Sequence, residues 1–151
     1  MTPATGSRAP DFTARNQYGE QVRLRDFAGR RDVVLVFYPY AFSQVCTSEL
    51  TALRDRPSLL DAAEFLAISC DPMFTLRAYA DAQKIEFGLL SDFWPHGTTT
   101  KAYGVFDELS GAPLRSSFIV DKAGQVGWVM HNATGEARDL DEHARALSDL
   151  V

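Results

Sequence analysis

Val33-Val34-Leu35-Val36-Phe37-Tyr38-Pro39 decides the fold. Apolar residues, half of them β-branched, run from 33 to 38 without a polar break. That pattern predicts a central strand buried on both faces, and Pro39 ends it. Phe65-Leu66-Ala67-Ile68-Ser69 repeats it downstream as a second buried strand. Between the two, Leu50, Leu53 and Leu60 form an apolar stripe, which predicts a helix from Cys46 to Leu60 that Pro57 kinks or divides. After the second strand, Asp71-Pro72 reads as the aspartate cap and first-turn proline of another helix, with Met73, Leu76 and Ala80 on its stripe.

Further outward, Gln17-Tyr18-Gly19-Glu20 is a turn leading into the alternating Gln21-Val22-Arg23-Leu24, hence a hairpin. Phe87 to Leu90 is short and extended, and Thr98 to Tyr103 makes one or two helical turns. Ser116–Val120 and Val126–Val129 flank the turn Asp121-Lys122-Ala123-Gly124. Leu140, Ala144, Leu147 and Val151 mark a closing amphipathic helix. The order, a hairpin, then β-α-β-α, then β-β-α, predicts one α/β domain over 1–151. Its architecture is a thioredoxin-like fold with an N-terminal β-hairpin and a mixed sheet flanked by helices. Right-handed crossovers put the C-terminal ends of strands 33–38 and 64–69 at one sheet edge, where sites in such sheets lie. Cys46 and Cys70 both follow those ends.

Composition narrows the function classes. The 151 residues are 46% apolar and 23% charged, enough for one cored domain. A net charge of -5 argues against nucleic acid as a partner. The two cysteines are too few for a secreted disulfide scaffold. The chain opens without an apolar run, and no stretch approaches the ~18 apolar residues of a membrane span, so the cytoplasm is the expected compartment and no membrane partner is expected. His96, His131 and His143 lack paired ligand spacing, so no metal is expected. Neither a phosphate-binding glycine loop nor a dinucleotide fingerprint occurs, and no cofactor is expected.

The chemistry gathers in Pro39-Tyr40-Ala41-Phe42-Ser43-Gln44-Val45-Cys46-Thr47-Ser48-Glu49. Cys46 stands where a buried strand gives way to a helix. The free N–H groups and positive dipole end of a first helical turn favour a thiolate. Ser43 can place a hydroxyl beside the sulfur, as helix cap or peroxide ligand. Pro39 offers an apolar wall without an N–H. The alternative from position alone is a packed small residue.

Pro39, Ser43 and Cys46 in this spacing, with Glu49, and with Arg115 in Pro113-Leu114-Arg115-Ser116-Ser117-Phe118-Ile119-Val120-Asp121, resemble the peroxiredoxin active-site pattern. The resemblance runs from Ala9-Pro10-Asp11-Phe12 to Phe118-Ile119-Val120-Asp121. Leu90-Ser91-Asp92-Phe93-Trp94-Pro95-His96-Gly97 and Ala102-Tyr103-Gly104-Val105-Phe106 look most like the AhpE-type one-cysteine subgroup of actinobacteria. The resemblance implies a thiol peroxidase acting on hydrogen peroxide, organic hydroperoxides or peroxynitrite. Cys46 would be its peroxidatic thiolate, with Arg115 beside it binding peroxide oxygen. Two departures are Ser43 where threonine is commoner and Gln44 where a small residue is frequent.

Some relatives of this type keep a resolving cysteine five residues on, where this chain has Thr51. Cys70 is the internal candidate for that role, but its strand-to-helix corner also suits a packed cysteine. The favoured reading is reduction of a Cys46 sulfenic acid by an external thiol. The resemblance suggests mycothiol with a mycoredoxin, or a thioredoxin-like protein. Phe42 and Trp94 are candidate linings of an apolar pocket mouth for organic peroxides. Phe93 and Trp94 are equally core cover or a homodimer surface, since the family often dimerises through loops near the site. A non-catalytic thioredoxin-like redox sensor or docking module stays open at this point. A cysteine hydrolase would need His96 or His131 as base within hydrogen-bond reach of Cys46, and nothing local suggests that.

Overall fold

The structure, a computed structural model, describes residues 1–133 and 135–150. Nine strands and five α-helices are assigned among them: β1 (Thr13–Arg15), β2 (Gln21–Arg23), β3 (Val33–Phe37), α1 (Gln44–Arg54), α2 (Pro57–Ala62), β4 (Glu64–Ser69), α3 (Met73–Gln83), β5 (Gly88–Ser91), α4 (Thr98–Ala102), β6 (Phe106–Asp107), β7 (Ala112–Pro113), β8 (Ser116–Val120), β9 (Val126–His131) and α5 (Leu140–Asp149). Val151, expected on the stripe of the closing helix, lies outside the described residues.

The main sheet has the order β2-β1-β5-β4-β3-β8-β9. β3, β4 and β5 run parallel, with Val33 opposite Glu64 and Leu66 opposite Gly88. β8 joins antiparallel to β3, and β1 antiparallel to β5. Every residue of β3 is buried, as its unbroken apolar run requires. The strands divide their side chains between two cores. Val34, Val36, Tyr38, Phe65, Ala67 and Ile119 pack with Cys46, Leu50, Leu53, Leu76, Tyr79, Ala146 and Leu147 of the helices. Leu35, Phe37, Leu66, Ile68, Phe118 and Val120 pack on the other face with Tyr103, Val105, Phe12 and Leu24. The mixed sheet is thus flanked on both sides, but unequally. Helices α1, α2, α3 and α5 cover one face, while the N-terminal segment and the chain after α4 cover the other.

The expected 46–60 helix is two helices. α1 stops at Arg54, and Pro57 becomes the first residue of α2, where its missing N–H is harmless. The expected aspartate cap of α3 is corrected. Pro72 holds the cap position without a side-chain bond, and Asp71 turns its carboxylate elsewhere, accepting from Ala41 N–H and Ser69 O–H, each at 2.8 Å. Leu24, read as strand, instead starts a short 3-10 turn over Leu24–Phe27. The β6–β7 hairpin escaped the sequence reading because two-residue strands carry no periodicity.

Candidate functional site

β3 and β4 end at the same edge, and the chain leaving β3 crosses it as a loop over 38–43. That loop is tied down at two adjacent residues, Tyr40 and Ala41. Asp71 accepts Ala41 N–H, and Tyr40 O–H reaches Ser110 O at 3.5 Å in the β6–β7 hairpin. Phe42 takes φ 70, a left-handed conformation that costs a non-glycine residue about 1–3 kcal/mol. Ser43 stands at the N-cap position of α1 by backbone geometry, yet its hydroxyl does not cap. It donates to Tyr40 O at 2.8 Å, which leaves its oxygen lone pairs free to accept.

Cys46 is the third residue of α1 and has no exposed surface. Arg115 Nη2 donates to its Sγ at 3.4 Å. Arg115 precedes β8 by one residue and shares a sheet face with Ser117 and Ile119, the face that carries the helices. Its other terminal nitrogen, Nη1, is bonded to Glu49 Oε1. Glu49 lies one turn after Cys46, so α1 delivers both groups to one spot. Arg115 Nε is buried and has no hydrogen-bond partner among the described residues, so its N–H is an unused donor.

Arg138 completes the arrangement. Its Nη1 donates to Glu49 Oε1 at 2.9 Å and its backbone N–H to Glu49 Oε2 at 2.8 Å. Nη2 donates to the carbonyls of Phe37 and Ser116, and Nε to Ser117 Oγ at 3.0 Å. Burial, opposed by Glu49, pushes the Arg138 guanidinium down to about 10, still cationic at neutral pH. Two buried cations therefore surround one buried carboxylate. The cluster carries a net positive charge until the sulfur ionises, and a thiolate on Cys46 would neutralise it. A buried uncompensated charge is costly, and this surplus faces Cys46 Sγ. Sequence reading missed Arg138. It sits in an irregular stretch before α5, far in sequence from Cys46, and has no local pattern to mark it.

A cavity of about 370 Å3 opens beside this cluster, lined by Pro39, Ser43, Gln44, Leu114, Arg115 and Asn132 among others. Pro39, Ser43 and Arg115 thus meet at the cavity, with Cys46 bonded behind Arg115. Gln44 is exposed at its edge. The structure does not bring Phe42 or Trp94 there, correcting the expected apolar mouth. The Phe42 ring lies 4.9 Å from that of Tyr79. Trp94 is 83% exposed and borders a different cavity with Thr13, Arg15 and Met73. Of the two readings of this tryptophan, core cover is set aside by its exposure.

Cys70 is also buried, but among other neighbours. It continues the alternation of Leu66 and Ile68, which face the core opposite to that of Cys46. Burial, reinforced by Asp92 and only partly offset by Thr100, pushes its thiol up to about 11. His96 Nε2 donates to Gly111 O, and His131 pairs with Ser116 Oγ at 3.0 Å. The group bonded to the Cys46 sulfur is a guanidinium, which cannot serve as a general base.

Residues 5–129 match the model of the AhpC/TSA family. The chain is 44% identical over 148 residues to alkyl hydroperoxide reductase E of Mycobacterium tuberculosis, covering 97% of each protein. Among solved structures it is similar to reduced 2-Cys peroxiredoxin of Plasmodium vivax, with a TM-score of 0.88, 30% identity, and coverage of 97% of this chain and 81% of that one. It is similar also to AhpC of Enterococcus faecalis, with a TM-score of 0.84, 31% identity, and coverage of 99% and 93%.

Proposed function

The chain belongs to the AhpC/TSA family of peroxiredoxins and is a thiol-dependent peroxidase, and on that premise we propose that Cys46 is its peroxidatic cysteine, served by Arg115, Ser43 and Pro39 and braced by Glu49. The observation that carries this assignment is the Arg115–Glu49–Arg138 cluster against Cys46, one positive charge in excess. The redox sensor without catalysis is set aside by the family, and the hydrolase by the guanidinium at the sulfur.

In the proposed reaction the peroxide enters beside Pro39, and its O–H donates to the free lone pairs of Ser43 Oγ. The Cys46 thiolate attacks the terminal oxygen. The S–O bond forms as the O–O bond breaks, and the electron pair leaves on the distal oxygen as water or alcohol after protonation. Arg115 is a fixed charge that stabilises the thiolate and then the departing oxygen. Cys46 becomes a sulfenic acid.

Reduction then comes from an external thiol. The opposite placement and raised thiol of Cys70 support this over an internal disulfide. Mycothiol with a mycoredoxin is the proposed reductant, a thioredoxin-like protein the alternative, and the similarity to a mycobacterial protein favours the first. The proposed compartment is the cytoplasm; among the described residues no helix is long and apolar enough to cross a membrane. Exposed Phe93 and Trp94 support a homodimer, which light scattering of the purified protein tests.

The deciding experiment mixes reduced protein with a slight excess of hydrogen peroxide and follows tryptophan fluorescence and intact mass. A fast gain of about 16 Da, absent in Cys46→Ser, supports the assignment. Oxidation no faster than that of a free thiol sinks it, and a loss of about 2 Da assigns Cys70 as the resolving residue instead.

A further inference from the structure

The buried polar chain continues past Arg138. Ser117 Oγ accepts Arg138 Nε–H at 3.0 Å and lies 2.8 Å from His143 Nε2. His143 is fully buried in α5, and its Nδ1 is 2.8 Å from Asp139 O. A carbonyl only accepts, so Nδ1 carries the ring proton. Nε2 of the neutral ring is then a lone pair. Ser117 gives it the hydroxyl hydrogen and keeps its own lone pairs for Arg138. One consistent set of directions results, running from the Asp139 carbonyl through His143, Ser117, Arg138, Glu49 and Arg115 to the sulfur.

We propose that His143 is a positioning residue for the peroxidase site: its unprotonated Nε2 fixes the Ser117 hydroxyl, which orients Arg138, which with Arg115 clamps Glu49 and holds Arg115 against Cys46. This rests on the reading of Cys46 and Arg115 as the reacting pair. The surroundings hold the ring neutral. Trp128 of β9 closes one side, its ring centroid 4.9 Å away at 73°. The charged groups that bear on the imidazole are Arg138, which opposes a proton, and Asp139, whose carboxylate is engaged with the N–H groups of Asp141 and Glu142. A proton on Nε2 would displace the Ser117 hydrogen and add a third cation to the cluster.

The test compares His143→Phe, His143→Gln and Ser117→Ala with the wild type. It reads the rate of Cys46 oxidation by hydrogen peroxide and the pH profile of Cys46 alkylation, with circular dichroism as the folding control. His143→Phe and Ser117→Ala are expected to lose roughly tenfold in rate and to move the alkylation profile to higher pH, the scale found when a group orienting a site ligand is removed. His143→Gln offers Ser117 a side-chain carbonyl and restores most of the rate. A packing role alone leaves the alkylation profile in place. Wild-type rates and profile in His143→Phe and Ser117→Ala overturn the proposal, as does an equal fall in His143→Phe and His143→Gln. Should His143→Phe not fold, Ser117→Ala, which deletes one atom, decides alone. A wild type that oxidises no faster than a free thiol overturns the underlying assignment, and this proposal with it.

Discussion

Cys46 and Cys70 follow neighbouring parallel strands at one sheet edge, both are buried, and each stands beside a different sign of charge. The corner after β3 holds a sulfur bonded to Arg115, with Arg138 behind it. The corner after β4 holds a sulfur near Asp92 and Asp71. Burial alone pushes any thiol toward its protonated form. What separates the two is the sheet face each reaches, Cys46 through α1 and Cys70 through the alternation of β4, and so which charges they meet. In the proposed reaction, a buried cysteine becomes a nucleophile through the arginines that the same face collects.

The largest effect expected from that contrast is on turnover. Cys46→Ser should reduce peroxide consumption to the level without enzyme, since the hydroxyl is not ionised beside the same cluster. Cys70→Ser should keep the wild-type rate of Cys46 oxidation in stopped-flow fluorescence. A Cys70→Ser protein that reacts with peroxide but cannot be recycled by any external thiol would break the contrast. Next comes the charge itself. Arg115→Ala removes the donor at the sulfur and should lower the second-order rate constant about 10²–10³-fold, the range for loss of one fixed transition-state donor. Arg115→Lys should recover only part, because a lysine cannot hold Glu49 and the sulfur through one planar fork.

Stability gives the third test. Glu49→Gln leaves Arg115 and Arg138 facing each other without their carboxylate, and breaking a buried ion pair from one side costs about 3–5 kcal/mol. Urea unfolding should show that loss. Asp55→Asn should show almost none, because its pair with Arg54 is solvated. The fourth concerns Cys70 alone. Burial pushes its thiol up to about 11, so between pH 7 and 9 a limited dose of iodoacetamide on the folded protein should label Cys46 and leave Cys70 unmodified. Peptide mapping reads this, and Cys70 should become reactive at neutral pH only on unfolding.

Much of this contrast was legible in the sequence, and the illegible part has physical reasons. The unbroken runs of β3 and β4 set the parallel pair because burial on both faces leaves no other composition. Ser43 and Cys46 share a local segment, so their spacing encodes their meeting in space. Arg115 was recoverable through the family pattern. Arg138 and His143 were not, since nothing local marks them and their partners lie as far as 101 residues away in sequence. Asp71 misled for the opposite reason. Its local signal for a helix cap was sound, but the backbone of Ala41 and the hydroxyl of Ser69, brought close only by the tertiary fold, offered it better partners.

The smallest expected effect sharpens the contrast from the acid side. His143 lies on the Cys46 face and is bonded into its network. Burial, aided by Arg138, holds its imidazole below the ordinary value of 6.5. The unfolded chain keeps the ordinary value, so below it the unfolded state binds the extra proton first. The contribution of neutral His143 is therefore complete above about pH 6.5 and shrinks as pH falls from there toward the depressed folded value. Urea midpoints measured from pH 7.5 down to pH 5.5 should decline in the wild type. The decline should be shallower in His143→Gln, which has no proton to gain at that position. Equal slopes in the two proteins would show that acid acts on the fold through other groups and leaves the Cys46 side no more acid-sensitive than the Cys70 side.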